Sequence, residues 1–280
     1  MRPLTSGIYH ICDAMLSDLR SCRYGIHASN LGAILAQGLA VPAGLPAYIA
    51  DPVVVDELSS LARYSGHPDI CRRSIFHALN HKAVGRRGAQ ELGRPYEKLK
   101  LIVAHLGGGT SVGAHEDGQV VDITSALDGE GPFSAERSGA LPVSRVMDWC
   151  FAPDADEQEI RKRLTGNGGL LAYLGTADGL HIEQRIKDGD VYAQEVYTAM
   201  AYQIAKEISA MGAVLRGQVD AVILTGGLVH DDFLVELIRE RVTYLGRVIV
   251  YAGEDEMSAL AEVAFRALRG EESVRMYTDV

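Results

Sequence analysis

The chain has 280 residues, 47% hydrophobic and 23% charged, with a formal net charge of −10 at pH 7. That length suits one large domain or two small ones, and the composition is that of an ordinary globular protein. The acidic balance excludes nucleic acid as the main partner, because binding a phosphate backbone needs clustered cations; an anionic substrate would need a local basic site. The cysteines Cys12, Cys22, Cys71 and Cys150 are scattered without C-x-x-C spacing and read as reduced thiols of a cytosolic protein. No apolar run approaches membrane-spanning length and no signal peptide opens the chain, so a cytoplasmic protein without a membrane partner is expected.

In chain order, residues 8–11 predict a short strand and 13–21 a helix. His27-Ala28-Ser29-Asn30 leads into an apolar-periodic helix through Leu31, Ile34, Leu35 and Leu39. A strand over 46–50 ends at Asp51-Pro52. A short helix is expected over 52–62 and a longer one over 74–92, with Phe76, Leu79 and Val84 facing inward. The longer helix carries His77 and His81 four residues apart, on one face. Such a pair could ligate a metal, but no H-E-x-x-H pattern is present, and hydrogen-bonded structural histidines are the favoured reading.

The segment 101–142 organises the chain. Leu101-Ile102-Val103-Ala104 reads as a buried strand, followed by His105 and by Gly107, Gly108 and Gly109. Alternation resumes in Val112, Ala114 and Val120 around Asp117-Gly118, a strong hairpin signal. The three glycines therefore join two strands. Bare backbone there can approach a ligand and offer N–H groups to an anion. Thr110, Ser111 and the downstream Arg137 favour a phosphate site over a plain tight turn. Gly109-Thr110-Ser111-Val112-Gly113 matches G-x-S-x-G, but a nucleophile elbow needs strand, sharp turn and helix, and here strand alternation follows the serine. Neither G-x-G-x-x-G nor G-x-x-x-x-G-K-[ST] occurs.

Residues 128–139, Asp128 through Glu136, Arg137 and Gly139, read as a long, mobile polar loop of the kind that carries function. Helices are expected over 143–151, 156–164 and 178–188, with a breaker cluster at Gly166-Asn167-Gly168-Gly169. The longest helix, 191–215, has Met200, Ile204, Ile208, Met211 and Leu215 as a buried stripe. A strand over 220–224 runs into Thr225-Gly226-Gly227-Leu228 and a helix to about 241. Strand, Gly-Gly, helix is where an open α/β sheet places ligands, although a plain βα turn has the same pattern. A strand over 247–251 ends at Gly253-Glu254-Asp255-Glu256, a helix spans 257–269, and a polar tail closes the chain. Two glycine-rich strand ends, acidic strand ends at Asp51 and 254–256, and Arg137 make a set suited to phosphoryl transfer: N–H groups for phosphates, carboxylates for Mg²⁺, a cation for the transition state.

Eight stretches carry a more specific resemblance: VPAGLPAYIADPVVVDE, RRSIFHALNHKAV, LIVAHLGGGTSVGAH, ALDGEGPFSAERSGALP, GNGGLLAYLGT, MAYQIAKEI, LTGGLVHDDF and GEDEMSALA. In this order, over essentially the whole chain, they resemble the acetokinase family of the sugar-kinase, Hsp70 and actin superfamily. Gly108, where acetate kinases carry Asn between glycines, and IFHALN with GPFSAERSG point to the family's butyrate and branched-chain side. The resemblance implies an α/β actin-like ATPase, ribonuclease H-like fold. It implies Mg²⁺-dependent, in-line transfer from ATP to a short-chain carboxylate such as butyrate, giving acyl phosphate and ADP. By the same resemblance, His77 steadies the transferring phosphoryl group, Arg137 neutralises its equatorial oxygens, and Asp51 is a catalytic aspartate near substrate and metal. Glu256, ahead of Glu254, stands on the Mg²⁺ side. His105 with Gly107, Gly108 and Gly109 matches a second phosphate loop, and Gly226 and Gly227 match the adenosine loop. The implied domains are 1–51 with 257–280, a remnant of the first, and 52–256, the second, through which homodimers form.

The family pattern also has an N-x-G-S-x-S-x-K phosphate loop and an R-G-G segment whose arginine binds substrate, both placed before the position of Met1. Neither is among these residues, and Arg2 falls after that arginine's place. The expectation is a first domain truncated at its N-terminus, in a chain that holds adenine nucleotide better than it makes acyl phosphate. The rival readings are a catalytically impaired nucleotide-binding or dimerising fragment and, more weakly, a serine hydrolase acting through Ser111.

Overall fold

The computed structural model describes residues 1–24, 29–125, 127 and 129–277. His27, Ala28 and Asp128, named above, lie outside the described residues. In chain order the elements are β1 (Ile8–His10), α1 (Asp13–Ser21), α2 (Asn30–Ala40), β2 (Tyr48–Ala50), β3 (Tyr64–His67), β4 (Ile70–Cys71), α3 (Ala78–Leu92), β5 (Leu101–Leu106), β6 (Thr110–Glu116), β7 (Gln119–Ile123), α4 (Val143–Cys150), α5 (Glu157–Leu164), α6 (Gly169–Leu174), α7 (Gly179–Lys187), α8 (Val191–Val214), β8 (Ala221–Gly226), α9 (Asp232–Val242), β9 (Arg247–Ala252), α10 (Glu256–Leu268) and β10 (Val274–Met276).

The larger sheet has the order β7-β6-β5-β8-β9, antiparallel from β7 to β5 and parallel from β5 to β9. Its central strands, LIVAHL and AVILTG, are buried at every position because helices cover both faces. Alternation divides them. Ile102, Ala104, Leu106, Val222 and Leu224 join the core beneath α8 and α9, whereas Leu101, Val103, Ala221 and Ile223 join the core on the α3 side. Each fully buried Leu, Ile or Val side chain contributes roughly 1.5–3 kcal/mol. The stripe expected along α8 is there: Met200, Ile204, Ile208 and Leu215 are fully buried. Asp117 and Gly118 turn β6 into β7 with φ of 52° and 76°, as an Asp-Gly hairpin requires.

A smaller sheet, β10-β1-β2, packs Tyr9 and Ile11 against Met15 and Leu19 of α1, Ala33 of α2 and Tyr277. The C-terminal segment is therefore not a free polar tail. β10 pairs in parallel with β1, and Tyr277 is fully buried with its hydroxyl 2.6 Å from Asp18.

Residues 52–62 are not helical. Pro52 and the β-branched run Val53-Val54-Val55 favour extended backbone, Leu4 pairs with Val55, and only Leu61–Arg63 makes a tight helical turn. A small β3-β4 hairpin follows, which alternation did not signal because its residues are all exposed. The helix expected from 74 begins at Ala78, with His77 as its N-cap. The Gly166–Gly169 breaker opens directly into the short helix α6.

Candidate active site

The alternation that sends Leu101 and Val103 towards α3 also sends His105 there, at the carboxyl end of β5. Pairing places His105 beside Ser111 of β6 and Thr225 of β8. A polar row thus crosses three strands at the end of the parallel pair, beside the first turns of α3. Asn80 of α3 joins it. Its amide nitrogen donates to the Glu254 carbonyl at 2.9 Å, which turns its oxygen towards His105 Nδ1, also at 2.9 Å. His105 Nε2 lies 3.4 Å from a Glu254 carboxylate oxygen, and the His105 imidazole beside it holds that carboxyl below its ordinary pKa. His77 stacks on His105 with ring centroids 3.8 Å apart and planes 12° apart. Although His77 precedes α3, it and His81 both reach Ser111, at 2.9 and 3.0 Å. Ser111 is fully buried in mid-strand, so the geometry of a nucleophile elbow is absent.

In front of His77 opens a cavity of about 530 Å³ lined by Asp51, His77, Arg137 and Glu256. Asp51 directly follows β2 with φ 38° and is buried; its Oδ1 accepts from Ser6 Oγ at 2.6 Å and from Gly7 N–H at 2.9 Å, while Oδ2 faces Arg86 at 3.7 Å. Glu256 opens α10. Arg137 sits in a firmly anchored loop rather than a mobile one. The Glu136 carbonyl accepts from Gly166 and Gly168, the Ser134 carbonyl from Leu170, and the Ala135 carbonyl from Leu171. Burial lowers the Arg137 pKa, opposed by Glu136.

The two glycine turns differ. Gly107 N–H donates to Gly109 O at 3.2 Å, and Gly108 O accepts from Ser134 Oγ at 2.6 Å. A Cβ on Gly109 would lie 2.2 Å from the Arg137 guanidinium, so the arginine is laid across the turn. Gly226, at φ 101°, has the Leu106 carbonyl 2.3 Å from any added Cβ, whereas a Cβ on Gly227 would meet nothing within 4 Å. Neither Gly226 nor Gly227 lines the cavity of Asp51 and His77; Thr225, Gly253 and Glu254 line a second one, of about 480 Å³, between α3 and α10.

Among the described residues no group of three His, Cys, Asp or Glu side chains could hold a metal alone. Mg²⁺ does not need one, since it takes one or two carboxylates with waters and substrate phosphates. Asp51 and Glu256, two hard oxygen donors on one cavity, fit that habit.

Sequence does not single out Asn80, His115 or Tyr96; it marks His81 only as the partner of His77, and Ser111 only beside the glycine turn and as the weaker hydrolase alternative. The available signal was the two-residue spacing of Ser111, Gly113 and His115, which puts them on the strand face that meets α3.

Comparison with known proteins accords with this architecture. Acetate kinase from Porphyromonas gingivalis superposes with a TM-score of 0.80 at 22% identity, covering 93% of this chain and 74% of that one. A propionate kinase from Francisella tularensis gives 0.77 at 22%, covering 92% and 76%. The fold is therefore the actin-like ATPase fold of these carboxylate kinases. The model of the acetokinase family matches residues 60–262. A protein of Coprothermobacter proteolyticus described as a probable butyrate kinase is 51% identical over 278 residues, 99% of this chain and 78% of its own length. The chain belongs to the acetokinase family, and with it to the phosphotransferases. Among the described residues no helix is long and apolar enough to cross a membrane.

Proposed function

We propose that this site transfers the γ-phosphoryl group of ATP to butyrate or a similar short or branched-chain carboxylate, giving acyl phosphate and ADP. The observation that supports it most is the convergence of Asp51, His77, Arg137 and Glu256, from four separate segments, on one cavity. A loose phosphoryl-transfer transition state is served by positioned charge more than by a strong base. Arg137 supplies the cation for the equatorial oxygens and His77 a hydrogen bond to the phosphoryl group. Asp51 and Glu256 would hold Mg²⁺, which when bound neutralises phosphate charge. Ile49, Val53, Phe76 and Leu260, on the same cavity, suit a short hydrocarbon chain beside the carboxylate. His105 with Gly107, Gly108 and Gly109 serves the phosphates, and Gly226 and Gly227 the adenosine. The domains in this reading are 1–51 with 257–280, and 52–256. This reading includes a cytoplasmic setting and a homodimer, and exposed Val143 and Met147 on α4, with Phe151 just after it, support the homodimer.

The test is incubation with ATP, Mg²⁺, hydroxylamine and a series of acids. Acyl hydroxamate that depends on ATP and is greater with butyrate or isobutyrate than with acetate is expected. The same assay separates turnover from nucleotide binding alone. Calorimetric binding of Mg-ADP without hydroxamate would favour that second reading, and neither would remove both.

A further inference from the structure

Behind His77 runs an unbroken line of hydrogen bonds. His77 Nδ1 meets Ser111 Oγ at 2.9 Å, and Ser111 Oγ meets His81 Nε2 at 3.0 Å. His81 Nδ1 meets His115 Nε2 at 3.3 Å, and His115 Nδ1 meets the Tyr96 hydroxyl at 2.7 Å. Ser111, His81 and His115 are fully buried, and Tyr96 is 6% exposed. The line therefore leads from the cavity wall, through β6 and α3, to a phenol in the interior.

Each bond in this line holds one proton. A neutral imidazole has one N–H and one lone pair for its two nitrogens, and a hydroxyl has one hydrogen to give. Each inner imidazole therefore donates once and accepts once; Ser111 Oγ could accept twice, but among the described residues it meets only His77 and His81, so its own hydrogen goes to one of them and all four bonds point the same way. Burial, with neighbouring imidazoles for His81 and with Lys82 for His115, keeps both histidines neutral. Two directions are conceivable. If the line ran inward, Tyr96 would accept from His115, and its own hydrogen would need another acceptor. Among the described residues the Tyr96 hydroxyl has no hydrogen-bond partner besides His115, and the charged group over its ring is Lys82, a donor, at 5.8 Å. A buried hydroxyl hydrogen without an acceptor is costly. Burial also raises the phenol's pKa, so it stays a neutral donor. The line thus runs outward: Tyr96 to His115, His115 Nε2–H to His81, His81 Nε2–H to Ser111, Ser111 O–H to His77 Nδ1.

We infer that Tyr96 is a positioning residue which, through His115, His81 and Ser111, fixes His77 as the Nε2–H tautomer and so makes it a hydrogen-bond donor on the cavity side. The inference rests on the proposed role of His77 at the phosphoryl group. The opposite tautomer would aim a lone pair at an anion, while Nε2–H offers a neutral donor that strengthens as phosphoryl charge develops.

Two-bond proton–nitrogen spectra of histidine-labelled protein read the tautomer directly, with His77 assigned by its loss in His77→Gln. In the unmodified full chain, His77 Nε2 should resonate as a protonated nitrogen and Nδ1 as a bare one. Ser111→Ala cuts the line beside His77, and Tyr96→Phe removes its source four bonds away. In both, the two His77 nitrogens should shift towards a common averaged position. An Nδ1–H signal in the unmodified protein would overturn the inference. So would an unshifted His77 in Tyr96→Phe; should that variant not fold, an unshifted His77 in Ser111→Ala would do so. If the spectra behave as expected while His77→Gln leaves hydroxamate formation unchanged, the relay stands and the role of His77 at the phosphoryl group fails; if the spectra behave as expected and the unmodified chain forms no hydroxamate, the relay stands and the proposed function fails.

Discussion

The two ends of the polar network are built differently. Around the cavity, Arg137 and Glu256 are charged groups held at the surface of an open space, and Asp51 presents its Oδ2 beside Arg86. At the inner end every polar group is matched within the protein. Lys82, 1% exposed, gives Nζ to Glu57 at 2.6 Å and to the Gly118 carbonyl at 2.8 Å. Glu57 also accepts from Val120 N–H and Ser6 N–H, so one carboxylate joins the N-terminal segment, β7 and α3. Burial lowers the Lys82 pKa, and Glu57 offsets that loss. Where charges are closed on one another, removing one should harm the fold; where they face a cavity, removal should harm chemistry and spare the fold.

The sharpest way to break that distinction is at the inner end. Lys82→Met leaves Glu57 buried without its cation, and should cost about 3–5 kcal/mol in urea unfolding. A loss below about 1 kcal/mol would mean that the pair is screened by water and that the inner end is no more structural than the outer. At the outer end, Arg137→Ala should cut hydroxamate formation roughly 10²–10³-fold, the usual loss for a preorganised charge-stabilising group. Its unfolding free energy should fall by much less than that of Lys82→Met, because the backbone bonds from Gly166, Gly168, Leu170 and Leu171 that anchor the loop remain. Near-normal turnover in that variant would remove Arg137 from the mechanism.

The glycine turns sharpen the same contrast at smaller scale. Gly226→Ala drives a methyl into the Leu106 carbonyl and should destabilise by about 1–3 kcal/mol whether or not nucleotide is present. Gly227→Val has room, so it should melt like the parent but bind Mg-ADP at least about tenfold more weakly if that space receives the nucleotide. That is a tenfold change in Kd, about 1.4 kcal/mol. Unchanged affinity would place the nucleotide elsewhere.

Sequence reached the cavity groups and largely missed the inner ones, for a physical reason. Asp51 follows a strand, Arg137 lies in a loop and Glu256 opens a helix, and punctuation by glycine and proline marks such places. The same punctuation revealed the strands on either side of the glycine turns. His81 and His115 are 34 residues apart in the chain, and Tyr96 and His115 are 19 apart. Only the antiparallel register of β5 and β6, and the seating of α3 on that face, bring them together. Residues 52–62 misled because their hydrophobic spacing suits a helix, while the partners that hold them extended, Leu4 and Phe76, are set by tertiary structure. Gly226 and Gly227 look alike in sequence; which one packs and which one opens depends on the neighbouring strand.

The smallest effect concerns pH, and it tests whether the inner end is closed to protons. His81 and His115 have pKa values well below the ordinary 6.5, because burial penalises the cation. Around His81 the imidazoles of His115, His105 and His77 add to that penalty, and around His115 Lys82 does. The unfolded chain takes up these two protons as pH falls below about 6.5, while the folded chain refuses them until much lower pH. Their contribution to stability is therefore complete above that value and is lost as pH falls from it towards the lowered pKa values. Each histidine should add about 1.4 kcal/mol of lost stability per pH unit within the window. Glu207 works in the opposite sense. Burial raises its pKa, so its contribution is complete below the ordinary carboxyl value and is lost as pH rises through the folded one. Urea titrations from about pH 7.5 to about pH 5 should thus be made in the Glu207→Gln background, which removes the opposing slope. There, below about pH 6.5, His115→Gln should reduce the pH slope by roughly 1.4 kcal/mol per pH unit while lowering stability throughout. A slope unchanged by His115→Gln would show that the folded protein takes up this proton as readily as the unfolded chain, and the inner end would no longer differ from the outer.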